Sequence, residues 1–210
     1  MMAKKYKKNY RSKRNGRGPF LMSVLIILLG IFVFSFTLNH LFDDKVQPVN
    51  PHDDQVEAHE QFIQQLLPTA KQLQQDYGIL PSIVIGQAIL ESDWGTSELS
   101  AQYNNLFGMK SFNPNGKSVK LKTQEYRNGK WETIEANFKV YSSWEESLID
   151  HTKLFVKGVD WDPYLYQGVL LADDYKTAAK ALQVAGYATD PTYANKIIDV
   201  IEANQLAQYD

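Results

Sequence analysis

From Phe20 to Thr37 the chain runs FLMSVLIILLGIFVFSFT without one charged side chain, and Leu38 extends the run. As a helix rising 1.5 Å per residue, that stretch spans roughly 28 Å, close to the ~30 Å hydrocarbon core of a bilayer. It is apolar on every face, unlike the amphipathic helix at the surface of a soluble domain. One rival is a buried soluble helix. The other is a cleaved signal peptide, which has a shorter apolar core and a small-residue cleavage site. Here the segment ends in Phe36, Thr37, Leu38, Asn39 and His40, with no such site. The expectation is therefore an uncleaved transmembrane anchor over residues 20–38.

Charge divides the chain at the same place. Residues 1–19 carry eight basic side chains (Lys4, Lys5, Lys7, Lys8, Arg11, Lys13, Arg14, Arg17) and no acid. The remaining 14 basic residues stand against all 24 acids, a net charge of −10. The positive-inside rule then places the tail in the cytoplasm and residues 39–210 outside the cell membrane. Anionic lipids of the inner leaflet suffice as a partner for the tail. The acidic remainder lacks the basic face that a nucleic-acid-binding body needs. No cysteine is present, which removes disulfide scaffolds, thiol catalysis and cysteine metal sites. Hydrophobic content of 44% excludes a wholly disordered chain.

Residues 39–57, with Pro48 and Pro51 and no sustained period, read as a linker. Residues 58–210 remain for one domain with a single sizeable core. Its spacing predicts a helix over 58–77, with Phe62, Leu66, Leu67, Ala70 and Leu73 on one side, a kink or restart at Pro68, and a stop at Gly78. Pro81 opens a second helix, PSIVIGQAILES, and residues 104–108 read as a loop. The stretch SVKLKTQEYRNGKWETIEANFKVY predicts a hairpin, with Asn128-Gly129 as its two-residue turn. That turn pairs Arg127 with Lys130, Glu125 with Glu132, Leu121 with Ala136 and Val119 with Phe138, so apolar meets apolar. Three further helices are expected near 143–157, 173–184 and 191–205. The last has Asp190 as its cap and Pro191 at its first position, and Gly186 ends the one before it. The fold class is mainly α, an α+β domain with one protruding hairpin.

Two constellations of acids stand out. Glu91 ends a helix that is apolar almost all round, on one stripe with Val84 and Ala88. Desolvation there disfavours the charged carboxylate and raises its pKa, as a general acid near neutral pH requires. An acid at a helix C-terminus also opposes the helix dipole. The plainer alternative is an exposed helix-end glutamate. Glu125 and Glu132 face each other near the hairpin tip, where like charges destabilise and raise at least one pKa. Solvation at the tip is the plainer reading there, and register does not choose between the two. Trp94, Tyr103, Phe107, Trp131, Tyr187 and Tyr193 supply aromatic rings that either stack on sugars or fill the core. The four histidines have no metal-ligand spacing, and no nucleotide or nucleophile-elbow motif occurs, so neither metal nor cofactor is expected.

The strings AILESDWGTSELS, NNLFGMK, EYRNGKW, FKVYSSWEESLIDH and AGYATDPTYANKI together resemble the peptidoglycan-hydrolysing N-acetylglucosaminidases of glycoside hydrolase family 73. Five ordered motifs cover nearly the whole outer domain. The resemblance implies a lysozyme-like fold with a small β lobe beside a cleft. It also implies cleavage of the β-1,4 bond between N-acetylglucosamine and N-acetylmuramic acid in cell-wall glycan. Glu91 matches the family's catalytic proton donor in E-S-x-W-G. Glu125 matches the proposed second carboxylate, which favours it over Glu132. Tyr187 matches a cleft tyrosine that assists catalysis or binds sugar. Trp94, Asn105, Phe107 and Tyr193 lie in matching motifs and would line or support the cleft. A distant second carboxylate suits inversion and a near one retention, while participation by the substrate's N-acetyl group needs neither. Some relatives carry a rod-binding domain or wall-binding repeats. This sequence has neither, and the expected targeting device is the anchor.

Overall fold

The structure is a computed structural model that describes residues 51–127 and 130–210, with side chains at 51–53 and 124–131 excepted. The expected anchor and tail lie outside the described residues. Among those described, no helix is long and apolar enough to cross a membrane. The elements follow in the order α1 (Pro51–Tyr77), α2 (Pro81–Ser92), α3 (Glu98–Tyr103), β1 (Ser118–Arg127), β2 (Lys130–Lys139), α4 (Trp144–Lys157), α5 (Gln167–Leu170), α6 (Tyr175–Val184) and α7 (Tyr193–Ala203), closed by a 3₁₀ turn, Leu206–Tyr209. The described part is therefore mainly helical with one two-stranded antiparallel sheet.

Helix α2 is the centre. Its apolar sequence leaves no face for water, and ten of its twelve residues are buried. It packs against α1, α6, α7 and the closing turn. Gly86 permits a close approach to α7, since a Cβ there would come within 3.0 Å of the Ile201 side chain. Asp210 completes the N-terminus of α2. Its carboxylate accepts from the Ser82 backbone N–H at 2.8 Å and from the Ser82 hydroxyl at 2.7 Å, satisfying a donor that the helix itself cannot.

Helix α1 differs from expectation twice. It begins at Pro51, inside the stretch read as linker, and it runs through Pro68 as one helix. Pro68 is exposed, so its missing N–H costs a hydrogen bond only on the solvent side. Phe62, Ile63, Leu66, Ala70 and Leu73 hold the opposite face in the core. Gly78, at φ +82°, ends the helix as expected.

Helix α7 starts later than expected. Thr192, not Asp190, occupies its cap, and Pro191 precedes the helix. Asp190 instead builds the preceding turn. One carboxylate oxygen accepts from the Thr192 N–H and hydroxyl at 2.8 and 2.7 Å, and the other binds Lys196 Nζ at 2.6 Å. The short elements α3, α5 and the closing turn were not expected, being too brief for a helical period to register. Their local chemistry is visible afterwards: Ser97 caps α3 by accepting from the Ser100 N–H.

The hairpin has the register its turn residues dictate, including Glu125 opposite Glu132 and Val119 opposite Phe138. Burial alternates along it with period two. Val119, Leu121, Ile134 and Ala136 are partly covered and Phe138 is buried, while Lys120, Lys122, Thr133 and Glu135 are exposed. The ribbon is tied to the helical body at its base, where Lys139 N–H donates to Met109 O and Ser111 N–H to Asn137 O, both at 2.8 Å.

Candidate active site

Glu91 stands in the last turn of α2 and remains partly exposed. Immediately after it the backbone makes a tight left-handed exit, with positive φ at Asp93, Trp94 and Gly95. Side chains stabilise this costly geometry. The Ser92 hydroxyl donates to Ala88 O at 2.6 Å and accepts from the Gly95 N–H at 2.8 Å. Gly95 is required for space as well as for φ, because a Cβ would lie 2.7 Å from the Trp144 ring and 2.9 Å from Phe62. The E-S-x-W-G string thus ends one helix abruptly and leaves Glu91 at the edge of the core.

The Glu91 carboxyl is held from across the fold. The Tyr193 hydroxyl donates to its Oε1 at 2.9 Å, and the Gln87 amide Nε2 donates to the Tyr193 hydroxyl at 2.9 Å. The other oxygen, Oε2, has no hydrogen-bond partner among the described residues. Burial pushes the Glu91 pKa up to about 8, against the opposing pull of the Tyr193 hydrogen bond and the more distant Lys196 charge. Near neutral pH this carboxyl is protonated and can give a proton. Lys196 opposes this weakly, since its ammonium is already paired with Asp190.

Tyr193 is buried, and so is Tyr187, whose ring stacks on it with centroids 5.5 Å apart. The Tyr187 hydroxyl meets His151 Nε2 at 2.9 Å, and His151 lies flat against Phe107 at 3.8 Å. Burial drives the His151 pKa down to about 3, so the imidazole is neutral. Asn105 is buried as well. Its amide donates to Met109 O and Lys139 O and accepts from the Met109 N–H, which fixes the loop to the base of the hairpin. Of the aromatic and amide residues singled out in the sequence, Asn105, Phe107, Tyr187 and Tyr193 are therefore buried. Tyr193 holds Glu91, Tyr187 and Phe107 lie behind Tyr193, and Asn105 fixes the loop. Trp94 and Tyr103 are partly exposed, and Trp94 is stacked on His59 at 3.6 Å and edge-on to Phe62. Glu132 lies on the partly covered face of the hairpin, opposite Glu125 in the backbone register. The Glu125 side chain lies outside the described residues, as does that of Trp131.

This arrangement is an acid site without a metal-ligand set: among the described residues no cluster of three His, Asp or Glu could hold a metal ion. The family model described as mannosyl-glycoprotein endo-β-N-acetylglucosaminidase, the glucosaminidase family, matches residues 67–206. The chain belongs to this family. Within it, the chain is 45% identical over 190 residues to the exo-glucosaminidase LytG of Bacillus subtilis, covering 90% of this chain and 65% of LytG. It is 41% identical to a probable N-acetylmuramidase of Lactococcus lactis, across 73% of this chain and 35% of that protein. The chain thus spans less than two thirds of either relative. Among solved structures, the catalytic domain of the autolysin Auto from Listeria monocytogenes superposes with a TM-score of 0.67 at 40% identity, over 80% of this chain and all of that domain. The described fold is accordingly the lysozyme-like glucosaminidase fold.

Two participants escaped the sequence reading. Gln87 is the one strongly polar side chain within the apolar run of α2, four residues before Glu91 and so on its face. That signal was available. His151 carried none, because its partners Phe107 and Tyr187 come from two distant segments.

Proposed function

We propose that this chain hydrolyses the β-1,4 bond between N-acetylglucosamine and N-acetylmuramic acid in peptidoglycan, with Glu91 as the general acid. The observation that carries this reading is Glu91 itself, a partly exposed residue at the edge of the core whose pKa burial raises to about 8 and whose Oε2 has no hydrogen-bond partner among the described residues. Family membership supplies the substrate class. The proton passes from Glu91 to the glycosidic oxygen as its bond to C1 breaks, and water supplies the hydroxyl that C1 gains. Glu125, on the hairpin, is the second carboxylate. Trp94, partly exposed beside the Glu91 turn, offers a ring to a sugar, and Tyr187 braces Tyr193. Cleavage is internal to the glycan strand, although LytG is named an exo-enzyme. The apolar run 20–38 and the basic tail support a single-pass anchor, N-terminus inside, that holds the domain at membrane-proximal glycan.

Digestion of purified peptidoglycan, followed by mass spectrometry of the new ends, tests the bond cleaved. Reducing N-acetylglucosamine ends support the proposal, and fragment lengths separate internal from terminal cleavage. Reducing muramic acid ends would instead favour the second reading, a muramidase, for which the name of the lactococcal relatives speaks. Anhydro ends would indicate a lytic transglycosylase.

A further inference from the structure

A protonated carboxyl has two oxygens but only one acidic hydrogen, and general-acid catalysis requires that hydrogen on the oxygen facing the substrate. Glu91 Oε1 lies 2.9 Å from the Tyr193 hydroxyl, and that bond can run either way. If Tyr193 accepted, Glu91 would spend its acidic proton inward. If Tyr193 donates, Oε1 becomes an acceptor and the proton must sit on Oε2. We propose that Gln87 and Tyr193 are positioning residues that fix the polarity of this hydrogen bond and so keep the acidic proton on Oε2, the oxygen free to reach the glycosidic oxygen.

The asymmetry of the Gln87 amide decides the polarity. Gln87 is fully buried in α2, and its Nε2 donates to the Tyr193 oxygen at 2.9 Å, while its Oε1 meets no donor among the described residues. The reversed chain, from Glu91 to Tyr193 to Gln87 Oε1, would leave both N–H groups of the buried amide without an acceptor. A buried amide donor left unpaired costs more than a carbonyl in the same state, so the forward direction is favoured. Tyr193 cannot turn away easily, because its ring is buried and stacked on Tyr187. The same Tyr193 O–H then serves both halves of the reaction. It bonds Oε1 of the neutral acid, and after Oε2 gives its proton to the leaving oxygen it bonds the resulting carboxylate without reorienting.

This inference rests on Glu91 being the general acid, which Glu91→Gln tests separately. Kinetics on soluble glycan strands released from peptidoglycan, with the melting temperature followed in parallel, test the relay itself. Tyr193→Phe should lower kcat roughly tenfold with KM within about twofold. It should also move the alkaline limb of the pH profile upward, because the lost bond favoured the Glu91 carboxylate. The charged and titratable groups acting on Glu91 there are Tyr193, Tyr187 and Lys196. Gln87→Met should lower kcat in the otherwise unchanged protein and have no further effect on top of Tyr193→Phe. Equal losses in both backgrounds, or an unchanged kcat for Gln87→Met, would overturn the proposal. If Gln87→Met does not fold, Tyr193→Phe decides alone: wild-type kcat with an unmoved alkaline limb overturns the proposal. If Glu91→Gln remains fully active, the parent reading falls instead.

Discussion

The helical body and the hairpin each carry a candidate carboxylate, but they hold it by different means. Glu91 is set by burial and by one bond from Tyr193 on α7, whose hydroxyl is in turn held by Gln87. Glu125 and Glu132 ride on a two-stranded ribbon whose backbone is joined to the body at its base. Packing tunes the first acid, whereas local pairing places the other two. A glycosidase can use that contrast. The proton donor needs a fixed pKa and orientation, whereas the second acid needs the right distance from it, which the angle of an arm can set.

The sharpest break in the comparison is expected at Glu91. Glu91→Gln should lower the rate of glycan cleavage roughly 10²-fold or more, read as release of new reducing ends. The same variant should be more stable than the wild type, with a gain that depends on pH. Because the folded pKa, about 8, lies above the ordinary value of 4.5, the folded state binds a proton more tightly than the unfolded chain. Wild-type stability from this group is therefore intact below pH 4.5 and declines as pH rises towards 8. Melting curves at pH 5 and pH 9 should show the larger advantage of Glu91→Gln at pH 9, and an equal advantage at both would count against a buried acid. For wild-type activity the sign is the same, with a fall as pH rises through about 8.

The hairpin should respond differently. Glu125→Gln is expected to cost roughly tenfold or more in rate while leaving the melting temperature near that of the wild type. Glu132→Gln should cost less in rate. The reverse order would move the second carboxylate across the ribbon to Glu132, whose backbone register is equally compatible.

Two stability predictions separate the body from its local turns. Gly95→Ala should destabilise by about 2–4 kcal/mol in chemical denaturation, since it adds a methyl group 2.7 Å from the Trp144 ring at a positive φ. Its rate loss should exceed what the folded fraction explains, because the same turn orients Glu91. Asp210→Ala should cost only about 1–2 kcal/mol through the two lost bonds to Ser82, with activity per folded molecule unchanged.

Where a segment's chemistry is local, the structure follows the sequence closely. The Asn128-Gly129 signal and period-two alternation yield the full register from Ser118↔Lys139 to Arg127↔Lys130. Pro81 and Gly78 delimit their helices because each acts through its own φ. The failures lie where neighbours in space override local preference. Pro68 does not interrupt α1, because the core face on the other side holds the helix together. Asp190 is displaced as a cap, because its carboxylate is shared with Thr192 and Lys196.

The sequence by itself determined that an acid ends an apolar helix, that two more face each other on a hairpin, and that five motifs join them in a glycosidase-like order. The first two follow from periodicity and turn chemistry, both of short range, and the third is carried by resemblance to a known family. Only the tertiary structure decided which groups hold Glu91. Tyr193 lies 102 positions away along the chain, and Gln87 reaches it across 106. No local preference encodes such a contact. It forms because α2, α6 and α7 must bury their apolar faces together, and the polar tips left between them have to satisfy one another.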